Sequence, residues 1–199
     1  IRKLGADTLR FYLVSSASPD KDFIWNDSAI EGSYKFVNKV IDYFESAKIG
    51  KSSKKTESKV NKLIKDVGED IQKFQYNIAI IKIRKLFDTI ENEISKKDLE
   101  SVIKLLHPIC PFITEELWHK LGNKTFISLG SWPIADKSKI DEKFEKEELA
   151  IEKLAEDINN IEKIMKAKGQ SVSKAFIYAI PNEKNIYLES IDMIKKKTN

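Results

Sequence analysis

The chain has 199 residues, 41% hydrophobic and 33% charged, with a net charge of +4 from 35 basic and 31 acidic side chains. That balance supplies both a core and a charged surface, which excludes a wholly disordered chain; the small charge excess does not by itself point to nucleic acid. One cysteine, Cys110, excludes an intrachain disulfide framework and fits a reducing compartment, and no apolar run reaches the ~20 residues of a bilayer span.

Seven glycines and five prolines leave room for long helices. The opening "IRKLGADTLRFYL" lacks an initial methionine and reads as the middle of a domain, so a fragment is expected. A first helix is predicted from Ala6 or Asp7, with Leu9 and Leu13, and Phe11 or Tyr12, inward. Ser16 to Asp27 is turn-rich and is predicted to lay Phe23 and Trp25 against the helices. A second helix is expected from Ser28 to Lys48, with Ser28 and Glu31 as a capping box and a stripe of Ile30, Tyr34, Val37, Val40, Ile41 and Phe44. Lys48 to Lys59 reads as a flexible connection.

A third helix is predicted over Thr56 to Lys73. A fourth covers Asn77 to Ile94, with Ile78, Ile81, Leu86, Phe87 and Ile90 inward. Lys97 to Leu106 forms a fifth. Pro108 and Pro111 then force a break, Pro111 suits the first turn of a sixth helix from Phe112 to Leu121, and Gly122 ends it. These helices make an antiparallel bundle. Thr125 to Pro133 is short, extended and apolar, and is expected to fold back over it.

Beyond Asp136 the character changes. Glu142 to Lys168 reads as a long charged helix with Leu149, Leu154, Ile158, Ile161 and Met165 inward, ended by Gly169. Lys174 to Ile180 has the composition of a strand, and a last helix is expected from Asn182 to Lys195. This predicts a small α+β extension. Partner strands would come from Thr125 to Leu129, from beyond Asn199, or from another chain.

No catalytic or metal site is expected. His107 and His119 lie twelve apart without further ligands, and Cys110 sits in an apolar stretch where burial makes a thiol inert. Glu115 and Glu116 are adjacent, so they point about 100° apart on a helix and cannot flank one bond. Lys35 and Lys39 are four apart on one helix face, with Asn38 beside them. They read either as a cationic ridge that tracks phosphates or as a solvated face. Lys82 and Lys85, with Arg84 pointing elsewhere, form a second basic group for which the solvated-face reading is favoured. Lys163, Lys166, Lys168 and Lys174 gather at the end of the long helix, where cations also suit the helix dipole. Trp25, Trp118 and Trp132 could stack on bases, but packing is the better reading.

Three stretches in order carry a family resemblance. "GADTLRFYLVSSASPDKDFIW" resembles the segment after the catalytic "KMSKS" loop of class I (class Ia) aminoacyl-tRNA synthetases for leucine, isoleucine and valine. "HPICPFITEELWHKLG" resembles the signature of their anticodon-binding helical bundle, and "FISLGSWP" the segment that follows. "DSAIEGSYKFVNKV" is most similar to the leucine branch, and Leu154 to Glu183 to its archaeal and eukaryotic form. The resemblance implies a stem-contact segment at 1–27, a bundle at 28–136 and an extension at 137–199. It implies tRNA binding, of tRNA(Leu), by Lys35, Asn38 and Lys39 and by the cluster Lys163, Lys166, Lys168 and Lys174; Lys82 and Lys85 join them as candidates on charge alone. The implied partner is a catalytic domain on the same polypeptide, in the cytoplasm and away from membranes, which holds ATP and Mg2+. "HIGH", "KMSKS" and GxxxxGK[ST] motifs are absent, so the fragment is expected to be non-catalytic and free of cofactors. Two alternatives remain open: a structural or protein-interaction module that buttresses the synthetase core, and the same domain of an isoleucine or valine enzyme.

Overall fold

A computed structural model describes residues 3–170, 174–181 and 183–198. The chain divides into two compact units, Ile1–Ile140 and Asp141–Asn199. In the first, α1 (Ala6–Ser16), α2 (Asp27–Ser46), α3 (Lys54–Gln72), α4 (Tyr76–Thr89), α5 (Lys96–Leu106) and α6 (Pro111–Lys120) pack as the expected bundle. The core is aromatic where α1, α2 and α4 meet: Phe11 stacks on Phe36 at 4.7 Å between ring centroids, and Phe36 meets Phe87 edge-on at 5.7 Å. Val60, Val67, Ile80, Ile83, Val102 and Ile103 extend it through α3, α4 and α5.

Local chemistry explains most boundaries. Ser53 caps α3 by accepting from the Thr56 N–H, and Ser95 caps α5 by accepting from that of Asp98. Pro111 takes the first position of α6, where the missing N–H costs nothing. Gly122, at φ +85°, and Gly169, at φ +74°, adopt the left-handed conformation that ends α6 and α7.

Several expectations are corrected. The cap of α2 is Asn26, not Ser28: its side-chain oxygen accepts from the Ser28 and Ala29 N–H groups, and the helix starts one residue earlier. Lys48 to Lys59 is no flexible linker. Lys48–Ile49 (β1) pairs in parallel with Glu93–Ile94 (β2), so α4 stops at Thr89 rather than Ile94. Ser52 then reaches the buried Asp98 carboxylate, which also accepts from the Ser95 hydroxyl. On α4 the inward face is Ala79, Ile80, Ile83, Leu86 and Phe87, and Ile78 and Ile81 face outward because the stripe runs one register away from the predicted one. Phe11 and Tyr12 are buried in α1 and Leu13 is exposed; on α2, Tyr34 is exposed. Within the predicted extended segment, Ile127–Leu129 forms a single 3-10 turn that buries Ile127.

The second unit holds α7 (Glu142–Ala167), α8 (Lys184–Glu189) and α9 (Ile191–Thr198). Helix α7 buries Ile151 and Ala155, while Leu149 and Ile161, expected inward, are exposed. It packs on α9 around Ile194, the Asn159 side chain donates to the Lys197 carbonyl, and Lys197 pairs with Glu152 at 3.3 Å. No strand forms over Lys174 to Ile180. Its β-branched and aromatic composition is not enough, because a strand needs ladder partners and none is present among the described residues. The single last helix is instead two, divided at Ser190; its expected start, Asn182, lies outside the described residues, as do Ile1 and Arg2.

Candidate nucleic-acid interface

Helices α2 and α4 carry the first two basic groups. Lys35 is exposed and makes no ion pair among the described residues. Asn38 spends its amide within its own helix, donating to the Tyr34 carbonyl at 2.9 Å. Lys39 reaches across to α4 and pairs with Asp88, both side chains being well exposed. Such a pair contributes about 0–1 kcal/mol and readily exchanges one oxyanion for another. Lys82 differs: its ammonium lies 2.7 Å from Asp70, whose side chain is only 8% exposed at the end of α3. Lys85 is exposed. Arg84 sits over the Phe36 and Phe11 rings at 5.4 and 5.8 Å, which ties it to the core. The structure thus joins Lys39 to α4 and anchors Lys82 to α3, leaving Lys35 without such a tie.

In the second unit Lys163, Lys166, Lys168 and Lys174 are all exposed. Lys166 pairs with Glu162 one turn back, and Lys168 caps α7, at the negative end of its dipole.

The tryptophans divide. Trp118 is buried and donates from its indole to the Thr125 carbonyl at 2.8 Å. Trp25 and Trp132 stay 50% and 40% exposed, so the packing expected for all three holds fully only for Trp118. Trp25 leans edge-on against Tyr12 at 4.9 Å, and its indole donates to Asp27.

Cys110 is buried, with its thiol 3.9 Å from the Asp7 carbonyl, and burial pushes the thiol pKa up. Glu115 is bound into the fold: it accepts from the Ile127 N–H, and its carboxylate lies 3.3 Å from His119 Nε2. His119 donates from Nδ1 to the Asn123 carbonyl. Among the described residues no three His, Cys, Asp or Glu side chains gather to hold a metal, and no helix is long and apolar enough to cross a membrane.

Sequence reasoning missed one feature, a cavity between the end of α5 and Ile127–Trp132. Its walls come from stretches some twenty residues apart, which no local spacing reveals. His107 forms part of it, with Nδ1 2.8 Å from the Thr114 hydroxyl. Desolvation lowers the His107 pKa; Glu115 and Asp7 oppose the shift without reversing it.

Residues 53–177 match the family described as the anticodon-binding domain of tRNA ligase. The chain belongs to that family. Among curated relatives, this anticodon-binding domain is 38% identical over 153 residues to the leucine–tRNA ligase of Rickettsia bellii, covering 70% of the chain and 18% of that protein. It is 35% identical over 160 residues to the leucine–tRNA ligase of Prochlorococcus marinus, covering 71% and 19%. The chain therefore spans less than a fifth of the length of these relatives. A crystal structure of a ternary complex of Agrobacterium radiobacter leucyl-tRNA synthetase, tRNA and LeuAMS superposes with a TM-score of 0.58 at 21% identity, over 70% of this chain and 21% of that one. At that identity the likeness shows the helical fold. The archaeal or eukaryotic form expected from Leu154 to Glu183 finds no support among these bacterial relatives.

Proposed function

We propose that this anticodon-binding domain is part of a leucine–tRNA ligase and holds tRNA(Leu) for a catalytic domain elsewhere on the same polypeptide. The single observation that carries this reading is the 38% identity to a leucine–tRNA ligase over 70% of the chain. The surface chemistry agrees with it. Exposed Lys35, Lys39 and Lys85 in the bundle, and Lys163, Lys166, Lys168 and Lys174 in the second unit, offer cations to a sugar–phosphate backbone. Asn38 and Lys82 support that surface, one satisfied within its own helix and the other held by Asp70. ATP and Mg2+ belong to the catalytic domain, and the chain itself is non-catalytic. The setting is the cytoplasm.

The experiment is a titration of the chain with tRNA(Leu) and with an unrelated tRNA at several salt concentrations. Tight, salt-sensitive binding that prefers tRNA(Leu) supports the proposal; weak binding without preference overturns it.

A second reading rests on Ile24 and Ile134, which are 92% and 90% exposed. Apolar side chains this bare suit contact with a neighbouring domain, so the connecting segments that carry them also buttress the rest of the synthetase. A chain that binds tRNA weakly but associates with a separately produced catalytic domain would favour this reading.

A further inference from the structure

The cavity at the end of α5, open to solvent on one side, has a volume of about 220 Å3 and is walled by Lys104, His107, Pro108, Ser128, Ser131 and Trp132, among others. Pockets for drug-sized ligands run from about 300 to 1,000 Å3, so this one suits a single ring system. Its polar groups are specific. The Lys104 ammonium is held 5.1 Å above the Trp118 ring and beside Gly130, where a Cβ would come within 3.4 Å of it. Trp132 supplies an aromatic wall, and one edge of its indole is set against α3, with Nε1 3.9 Å from where a Cβ on Gly68 would stand.

Hydrogen bonding favours one tautomer of His107. The Thr114 hydroxyl has one hydrogen, and the Cys110 carbonyl stands 2.7 Å away to accept it. With the hydrogen there, the hydroxyl oxygen accepts from His107 Nδ1–H at 2.8 Å. That tautomer leaves Nε2 as an acceptor, and desolvation favours the neutral ring. The residues that wall the cavity therefore bring together an indole, one cation, one imidazole and two serines. A ligand that satisfies all of these has a flat ring, an amino donor and a nearby negative charge. An apolar side chain of a partner protein would leave the ammonium and imidazole unanswered.

We propose that this cavity receives one unpaired, amino-bearing nucleobase of the bound RNA, stacked on Trp132, with Lys104 at its adjoining phosphate. The proposal rests on the tRNA-binding reading above and adds a base-holding site to backbone contacts. Base-on-aromatic stacking is tolerant of sequence, so the site would hold a base more than read it.

The test uses the 199-residue chain, a tRNA(Leu) transcript, and the variants Trp132→Ala, Trp132→Phe and Lys104→Met, each checked by thermal unfolding. Trp132→Ala is expected to weaken tRNA binding about tenfold, and Trp132→Phe to recover most of the loss. Lys104→Met keeps the stem over Trp118 and is expected to weaken binding severalfold. In a separate arm, CMP and AMP are titrated into the wild-type chain by NMR; saturable shifts of the Trp132 indole N–H and the Gly130 amide are expected. Folded Trp132→Ala and Lys104→Met variants that bind tRNA like wild type overturn the cavity proposal and leave the tRNA reading standing. Should Trp132→Ala fail to fold, Trp132→Phe and Lys104→Met decide on the same criterion. A wild-type chain with no tRNA affinity overturns the tRNA reading itself, and the absence of nucleotide shifts then overturns the cavity as well.

Discussion

Asp7 caps a helix that begins 104 residues after it: its Oδ2 accepts a hydrogen bond from the Ile113 backbone N–H at 2.8 Å, across 106 residues of chain. Helix α6 has no side-chain cap from its own preceding residue, because Cys110 stands there. A buried carboxylate on α1 takes over that role and faces the positive end of the α6 dipole. Asp7→Ala leaves that partly buried N–H unanswered, with an expected loss of about 1–3 kcal/mol. Asp7→Asn keeps an acceptor and is expected to lose less. Thermal unfolding by circular dichroism, with all three proteins at the same pH, checks the order.

Lys39 and Asp88 make the opposite kind of contact, an exposed pair across α2 and α4. Lys35→Ala combined with Lys39→Ala is expected to leave stability within about 0.5 kcal/mol. The same double change is expected to reduce the salt slope of tRNA binding by about two. Asp88→Asn removes the competing carboxylate and is expected to tighten binding up to about fivefold. Filter binding over a salt series measures both effects. Unaltered binding by the double variant would remove these lysines from the interface.

Lys82 predicts a stability effect. Its partner Asp70 is nearly inaccessible, so Lys82→Met strands a buried carboxylate, with an expected loss of about 1–3 kcal/mol. Lys82→Arg should retain most of the stability. Urea unfolding of both variants separates this outcome from a purely RNA-facing role, which would change neither midpoint.

His107 sets a pH dependence. Its pKa in the folded chain lies below the ordinary histidine value of 6.5, so the folded state takes up a proton less readily than the unfolded one. The contribution is fully present above pH 6.5 and is lost as pH falls through the lower, folded value. His107→Gln should flatten the stability profile in that window. Parallel profiles for wild type and variant between pH 7 and 5 would refute the assignment.

Much of the bundle was legible because Pro111 and Gly122 act locally and the apolar stripes repeat at helical spacing; the caps were not, since Asn26 rather than Ser28 caps α2 and Ser53 and Ser95 went unread. The stripe on α4 was misread because Ile78, Ile80, Ile81 and Ile83 crowd one helix: several faces look equally apolar, and only packing selects Ile80 and Ile83. β1 and β2 were invisible because a two-residue parallel pairing across more than forty residues has no sequence period. Basic residues were found by charge and helical spacing, which do not distinguish the exposed Lys35 from Lys82, held by a carboxylate twelve residues earlier. The cavity at His107 escaped for the same reason, since its walls meet only in the folded chain.

The pairing of Lys48–Ile49 with Glu93–Ile94 closes the α3–α4 hairpin into a loop, fastened where α3 is entered and α4 is left. Neither helix can peel away alone without breaking the hydrogen bonds that Lys48 and Gly50 donate to Asn92 and Ile94. Amide exchange should therefore report residues 48 to 94 opening as one cooperative block, rather than fraying inward from either helix end. A strain introduced at that small clasp would be felt along both helices at once, including the face that carries Lys82 and Lys85.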